Sequence, residues 1–267
     1  DKSGLFREEL DKNFQELTKW LIFGSIDFDF ISESLLPELC PQADAPLRVG
    51  EMKYDVIVVP GCETLRSSTL ERLEKFKADG GRVIFLGEAP TLENAQPSDR
   101  GERLFKNSEH IPYQRASLLT ALDSERSVCI RDEDGYLSDG LIYQLREDTD
   151  SLWLFVAHAE DSYDCDLAFY DDIKITVKGE YSPVIYDTLS GELKPAQFDY
   201  LNGDTVISAR LFDFDSLLLR LYNGRSERQY AEPKKLEDKE ILVPYETEYE
   251  LDEPNVMLLD MARFALD

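Results

Sequence analysis

A thiol, two carboxylates and a tryptophan are the side chains of this sequence placed where chemistry could use them. Cys62 follows the apolar run Asp55-Val56-Ile57-Val58-Val59-Pro60 and precedes a helix start, a setting that can lower a thiol's pKa and make it a nucleophile. Glu63 stands beside it, and Glu88 follows a second apolar run, Arg82-Val83-Ile84-Phe85-Leu86. Both carboxylates fall at carboxyl ends of strands, the edge where open α/β sheets place ligands. Solvation or helix capping is the plainer role for each. Trp153 with Tyr163, Tyr170, Tyr181 and Tyr186 could stack a sugar, because an aromatic face suits the apolar C–H face of a pyranose. A tryptophan inside an apolar strand is more commonly core. The acidic run Glu160-Asp161-Ser162-Tyr163-Asp164-Cys165-Asp166 offers oxygen ligands to calcium, but it lacks the glycine and terminal glutamate of an EF-hand loop and reads as a solvated loop. Asp132-Glu133-Asp134-Gly135 reads as a turn. Four cysteines, Cys40, Cys62, Cys129 and Cys165, have no paired spacing, and only two histidines, His110 and His158, accompany them. No metal site and no cofactor is expected from that set.

The elements that must position these residues are legible in the hydrophobic pattern. Residues 54 to 87 read as strand, helix and strand: Ser67, Ser68 or Thr69 can cap the helix, Leu70, Leu73 and Phe76 give it an apolar face, and Gly80-Gly81 stop it. Both flanking runs are β-branched and continuous, as in strands buried on two faces of a parallel sheet, so the unit is a right-handed crossover. Upstream, Phe6, Leu10, Phe14, Leu17 and Leu21 predict an amphipathic helix over residues 5–23 that Gly24 ends. Ile26-Asp27-Phe28-Asp29-Phe30-Ile31 alternates like a strand, and Ser32 can cap a brief helix through Leu39. This predicts an α/β domain over residues 1–125.

The period then changes to two. Turn pairs recur at Asp134-Gly135, Asp139-Gly140, Ser190-Gly191, Asn202-Gly203 and Asn223-Gly224. Between them Leu152–Ala157, Ile173–Val177, Pro183–Tyr186, Thr205–Ser208 and Leu217–Leu221 read as strands, which predicts an antiparallel β-sandwich over residues 126–224. From residue 225 a polar, charge-dense stretch to about 240 reads as a linker, so residues 225–267 are expected to hold that linker and the start of a truncated further domain.

In Tyr54-Asp55-Val56-Ile57-Val58-Val59-Pro60, Glu63-Thr64-Leu65-Arg66-Ser67-Ser68-Thr69-Leu70 and Gly80-Gly81-Arg82-Val83-Ile84-Phe85-Leu86-Gly87, the chain resembles the class I glutamine amidotransferase-like domain carried inside large bacterial glycoside hydrolases. That domain type in turn resembles the trimerisation domain of some β-galactosidases. The resemblance implies a flavodoxin-like parallel sheet. Tyr186-Asp187-Thr188-Leu189-Ser190-Gly191-Glu192 resembles a hairpin in the C-terminal β-domains of such hydrolases. Glu253-Pro254-Asn255-Val256-Met257-Leu258-Leu259-Asp260, with Phe264-Ala265-Leu266-Asp267, resembles the opening of the galactose-binding-like sandwich that follows there.

An amidotransferase places its nucleophilic cysteine on a strained turn directly after a sheet strand, with a histidine partner. Here the turn after Leu86 is Gly87-Glu88-Ala89-Pro90, so the resemblance implies the fold and argues against that reaction. Cys62 stands one strand too early for the family's nucleophile, and neither histidine is near it in sequence; a half-buried loop residue is the simpler reading. Glycoside hydrolysis needs two carboxyl groups about 5 Å apart for retention and wider for inversion. The resemblance puts those acids on a barrel domain upstream, and no succession of eight strand–helix units is present here to supply one. The expected role is a non-catalytic accessory region of a glycoside hydrolase acting on oligo- or polysaccharides, with rhamnosides or galactosides among the sugars the resemblance implies. It would brace the catalytic barrel, shape its cleft or mediate subunit contact. The alternatives are a carbohydrate-binding module using the β-sandwich and a thiol hydrolase around Cys62 with His110 or His158.

Composition narrows the partners. The 267 residues are 42% hydrophobic and include 55 acidic and 29 basic side chains, a net charge of -26. That potential opposes a phosphate backbone or an anionic leaflet, so neither nucleic acid nor membrane is expected as a partner. No apolar run approaches the roughly 20 residues of a spanning helix. The start at Asp1-Lys2-Ser3, without Met, reads as an excision from something longer. Expected partners are the catalytic barrel of the same polypeptide, carbohydrate, and a second copy of the chain. Four unpaired thiols predict a reducing, cytoplasmic location.

Overall fold

The computed structural model describes residues 2–159 and 170–226. Helix α1 (Lys2–Phe23) is followed by a one-turn helix α2 (Leu36–Leu39), an antiparallel pair β1 (Leu47–Val49) and β2 (Met52–Tyr54), and then β3 (Val56–Val59). Past β4 (Thr64–Leu65), helix α3 (Ser67–Ala78) crosses to β5 (Arg82–Leu86), which pairs in parallel with β3 from Val56↔Arg82 to Val59↔Phe85. The strands β6 (Leu92–Glu93) and β7 (Gln96–Pro97) join β4 in a small flap. Helix α4 (Arg100–Lys106), strand β8 (Glu109–Ile111) and helix α5 (Arg115–Ala121) complete this part, with the parallel sheet ordered β3-β5-β8.

The continuous apolar run of β5 is explained by burial on both faces. Val83 and Phe85 point into one cluster with Leu70, Leu73 and Phe76 of α3, while Ile84 and Leu86 point into another with Leu17 and Leu21 of α1 and Leu118 and Leu119 of α5. Each such side chain contributes about 1.5–3 kcal/mol by leaving water. Helix α3 stops as its glycines predict. Gly81 N–H donates to Phe76 O and Gly80 N–H to Lys77 O, with Gly80 at φ +95°, the two bonds of a Schellman end. A Cβ on Gly81 would sit 2.4 Å from the Phe76 ring.

Two expectations are corrected. The N-terminus of α3 is capped by no side chain of Ser67, Ser68 or Thr69; instead Asn94 Oδ1 accepts from Ser67 N–H at 3.1 Å and Glu33 Oε1 from Arg66 N–H at 2.9 Å. Partners brought by tertiary structure have replaced the local cap. Residues 26–31 form no strand and pair with none among the described residues. Their alternation serves another purpose: Phe30 packs 4.7 Å from Phe14 of α1 and 5.1 Å from Phe28, and Asp29 accepts the Tyr54 hydroxyl. The third parallel strand is the short β8, whose Glu109-His110-Ile111 carries too little apolar pattern to announce itself.

The remaining strands are β9 (Val128–Asp132), β10 (Leu141–Glu147), β11 (Ser151–His158), β12 (Tyr170–Val177), β13 (Tyr181–Tyr186), β14 (Leu193–Pro195), β15 (Gln197–Leu201), β16 (Asp204–Phe212) and β17 (Ser216–Asn223). They form two antiparallel sheets, ordered β10-β11-β17-β13-β14 and β15-β16-β12-β9. A shared core lies between them, with Leu154, Val156, Leu219 and Leu221 from the first sheet and Ile130, Ile173, Ile175 and Ile207 from the second. The Asn202-Gly203 turn has φ +56° and +91°, the paired positive values that a two-residue type I′ hairpin requires. Taken whole, the described chain is a mixed α/β arrangement rich in strand.

Arg126, just before β9, is anchored on the first part. Its guanidinium is buried, with Nε donating to Gly24 O at 2.7 Å, Nη2 to Leu119 O at 3.4 Å, and Nη1 paired with Asp123. The charge is thus matched by hydrogen bonds immediately before β9 begins, as burial of a guanidinium demands.

Candidate functional site

At the carboxyl edge of the parallel sheet, the nominated residues are not joined to one another among the described residues. Cys62 is half-buried, and its thiol is pushed up to about 11, first by burial and then by the nearby Glu33 carboxylate. A nucleophilic thiol needs the opposite environment. Glu63 and Glu88 are exposed. The Glu63 backbone carbonyl accepts from Thr91 and Leu92 N–H, both at 3.0 Å, which ties its loop to the β4-β6-β7 flap. No hydrogen bond or ion pair joins Cys62, Glu63 and Glu88 to one another among the described residues. A shallow depression of about 350 Å³ nearby is lined by Glu33, Thr64, Leu65, Arg66, Asn94 and Ala95, and by none of the three.

Tyr113, which no sequence motif marks, packs against the glycines of this edge. A Cβ placed on Gly61 would lie 3.6 Å from the Tyr113 ring, and one on Gly87 would lie 3.3 Å from it. Gly87, in the turn where a nucleophile would stand, has φ +91° and donates its N–H to Ile111 O. The Tyr113 hydroxyl donates to Asn13 O at 2.7 Å, and its ring packs 5.5 Å from Trp20. Burial, with Glu16 behind it, pushes the phenol up to about 12. No sequence signal marks Tyr113, since the strand it follows, β8, carries too little apolar pattern to be read.

Neither histidine reaches Cys62. His110 stacks on Phe105 at 4.5 Å and has Ser108 O at 3.3 Å from Nδ1. His158 lies on β11 between Asp215 O and the Asp171 carboxylate, each at 3.3 Å. The condition for thiol hydrolysis around Cys62 is therefore not met. Among the described residues no cluster of three or more His, Cys, Asp or Glu could hold a metal ion, and no helix is long and apolar enough to cross a membrane. The acidic run from Glu160 to Asp166, with Tyr163 and Cys165, lies outside the described residues.

Trp153 is placed differently from the core position its apolar strand implied. Along β11, Leu154 and Val156 point into the sandwich core, so Trp153 and Phe155 point outward, Phe155 with 41% of its surface exposed. The pairing register sets Arg146, Trp153, Arg220 and Val184 side by side across β10, β11, β17 and β13. The next row is Gln144, Phe155, Leu218 and Tyr186. Tyr186 meets the indole edge-on at 4.8 Å, and Arg220 lies over the Trp153 and Tyr222 rings at 5.1 and 4.8 Å. Arg220 is itself held by Ser151 Oγ at 3.0 Å and Asp150 at 3.1 Å. Asp148 is kept below the usual carboxylate range by the Thr149 N–H and then by the Trp153 indole N–H. Of the other nominated tyrosines, Tyr181 packs against the sandwich core and Tyr170 begins β12. A depression of about 400 Å³ opens here, lined by Gln144, Arg146, Trp153, Phe155 and Leu218. It offers an apolar floor with polar donors at one side, the composition of a small-molecule site.

No protein-family profile matches this sequence, and no curated protein matches it either. Solved structures do. The rhamnosidase from Novosphingobium sp. PP1Y superposes with a TM-score of 0.55 at 14% identity, covering 75% of this chain and 20% of its own. The apo exo-carrageenase GH42 from Bacteroides ovatus does so with a TM-score of 0.50 at 14% identity, covering 80% of this chain and 27% of its own. The fold is thus one found within glycoside hydrolases, and this chain spans about a fifth and about a quarter of those two.

Proposed function

We propose that this chain is a non-catalytic accessory region of a glycoside hydrolase acting on oligo- or polysaccharides. It braces a catalytic barrel in the same polypeptide, shapes its cleft or mediates subunit contact. An amidotransferase-like sheet domain followed by a β-sandwich is the form this reading takes. The observation that carries it is the combination at the sheet edge: a fold shared with parts of glycosidases, and a Cys62 thiol that burial pushes up to about 11 with neither histidine bonded to it among the described residues. Since a fold alone does not assign chemistry, the environment of Cys62 is the stronger support. The test compares hydrolysis of a panel of chromogenic glycosides by this chain and by the complete product of its gene. Turnover only by the complete product is expected; turnover by this chain alone would refute the reading.

A second reading, a carbohydrate-binding module using the β-sandwich, is favoured by one observation, the outward position of Trp153 beside Phe155 and Tyr186.

A further inference from the structure

We infer that the depression on the outer face of the five-stranded sheet binds a pyranosyl glycan bearing an anionic substituent, with the sugar ring on Trp153 and Phe155 and the carboxylate or sulfate on Arg146. The inference rests on the carbohydrate-binding reading for its ligand class and adds the subsites and the charge.

Three features of the face lead to it. The first is repetition: Arg146 stands directly opposite Trp153 and Gln144 directly opposite Phe155 in the β10–β11 register. Facing residues of an antiparallel pair hold their Cβ atoms about 4.5–5.5 Å apart, so a donor flanks an aromatic ring twice within the span of one sugar residue. The aromatic rings suit the axial C–H face, and the donors suit the substituents at the ring's rim.

The second is charge. Arg220 sits on the same face and is satisfied by Asp150 and Ser151, and Arg210 and Arg225 elsewhere in the sandwich pair with Asp172 and Glu180. Arg146 is exposed and its side chain makes no hydrogen bond or ion pair among the described residues, in a chain of 55 acidic side chains. A guanidinium left unpaired beside two aromatic rings presents its donor fork to an oxyanion from outside, the geometry that carboxylate and sulfate groups match.

The third is what already occupies the indole. Arg220 lies over the ring, and Tyr186 meets its edge. These contacts fix the orientation of Trp153 without filling the depression, whose lining takes in Arg146 and Gln144 and leaves out Arg220. A ring immobilised in advance loses little freedom when a ligand arrives.

The test is calorimetric titration of the 267-residue chain with trigalacturonic acid, a sulfated galactan oligosaccharide and a neutral galactotriose. Binding of either acidic probe in preference to the neutral one is expected, and the better of the two identifies the substituent as carboxylate or sulfate. Trp153→Ala should weaken that binding by at least about tenfold. Arg146→Gln, at an exposed position that the fold does not need, should remove the preference for the acidic probes and leave the unfolding midpoint unchanged. Absence of binding by both acidic probes, equal affinity for the neutral sugar, or acidic binding unaffected by Arg146→Gln would overturn the inference. None of those results would touch the accessory role, which is read from hydrolysis by the longer protein.

Discussion

The carboxyl edge of the parallel sheet and the outer face of the five-stranded sheet hold opposite halves of what a binding site needs. The edge has the topology: strand ends, glycine turns and a thiol beside a helix start, where open α/β sheets bind ligands. Tyr113 packs against its glycine turns, and Cys62 is half-buried near Glu33. The outer face has none of that topology, yet it leaves Phe155 exposed, Trp153 half-buried and the Arg146 side chain unpaired among the described residues around a depression. Position in a fold nominates a site, and accessibility with unspent polar groups decides whether the site can work.

The contrast concerns surfaces and should vanish in the layers beneath them. Ile84 lies under the sheet edge and Leu219 under the open face, both fully buried. Alanine at either is expected to cost about 2–5 kcal/mol in urea unfolding, the range for deleting a buried aliphatic side chain. A value near zero at one of them would mean that its region is not built as described. The surfaces themselves should then separate. Tyr113→Ala removes a ring wedged over Gly61 and Gly87 together with its bond to Asn13 O, and a loss of about 2 kcal/mol is expected. Trp153→Ala should cost about half that, because its ring faces outward. The reverse order would break the comparison.

Thiol reactivity sharpens it further. With a pKa pushed up to about 11, Cys62 should hold roughly a hundredfold less thiolate at pH 8 than an ordinary cysteine. Iodoacetamide labelling of Cys62, followed by peptide mass spectrometry, should be correspondingly slow and rise until about pH 11. Rapid labelling at neutral pH would restore the edge as a candidate for chemistry.

The smallest effect belongs to Asp187 in the turn after β13. Its carboxylate pairs with Lys194 and accepts from Ser190 and Leu189 N–H, and the pair with Lys194, more than the turn, holds it well below the usual carboxylate range. A carboxylate depressed in the folded state adds stability that is present above its unfolded value near 3.9 and is lost as the pH falls through the folded one. Asp187→Asn should therefore lower the denaturation midpoint slightly at pH 7 and flatten its decline below about pH 4. An identical acid limb in both proteins would contradict this.

Sequence pattern carried the elements whose signal is local. The crossover around α3, the Schellman end at Gly80-Gly81, and the strands β11, β12, β13, β16 and β17 follow from runs, periods and turn pairs. What the pattern missed depends on partners distant in sequence. Residues 26–31 alternate like a strand but spend their rings on Phe14, and β8 is strand only because β5 is beside it. Strands β9 and β10 flank the Asp134-Gly135 and Asp139-Gly140 turns, but polar residues interrupt their apolar runs, as in Val128-Cys129-Ile130-Arg131-Asp132. The apolar neighbours Leu152, Leu154 and Val156 leave Trp153 open to either a core or a sugar-stacking reading, and only the register assigns it to the outer face. Tyr113 and Arg126 gain their roles from groups more than 90 residues away, Asn13 and Gly24.

The central claim, that this chain supports glycoside hydrolysis without performing it, is tested most directly by turnover of the chromogenic panel by the complete gene product carrying Cys62→Ala, Glu63→Gln and Glu88→Gln together. The account predicts kcat within about twofold of the unsubstituted protein, since none of the three touches substrate. A loss of about a hundredfold or more with the fold intact would place the chemistry at this sheet edge and contradict it.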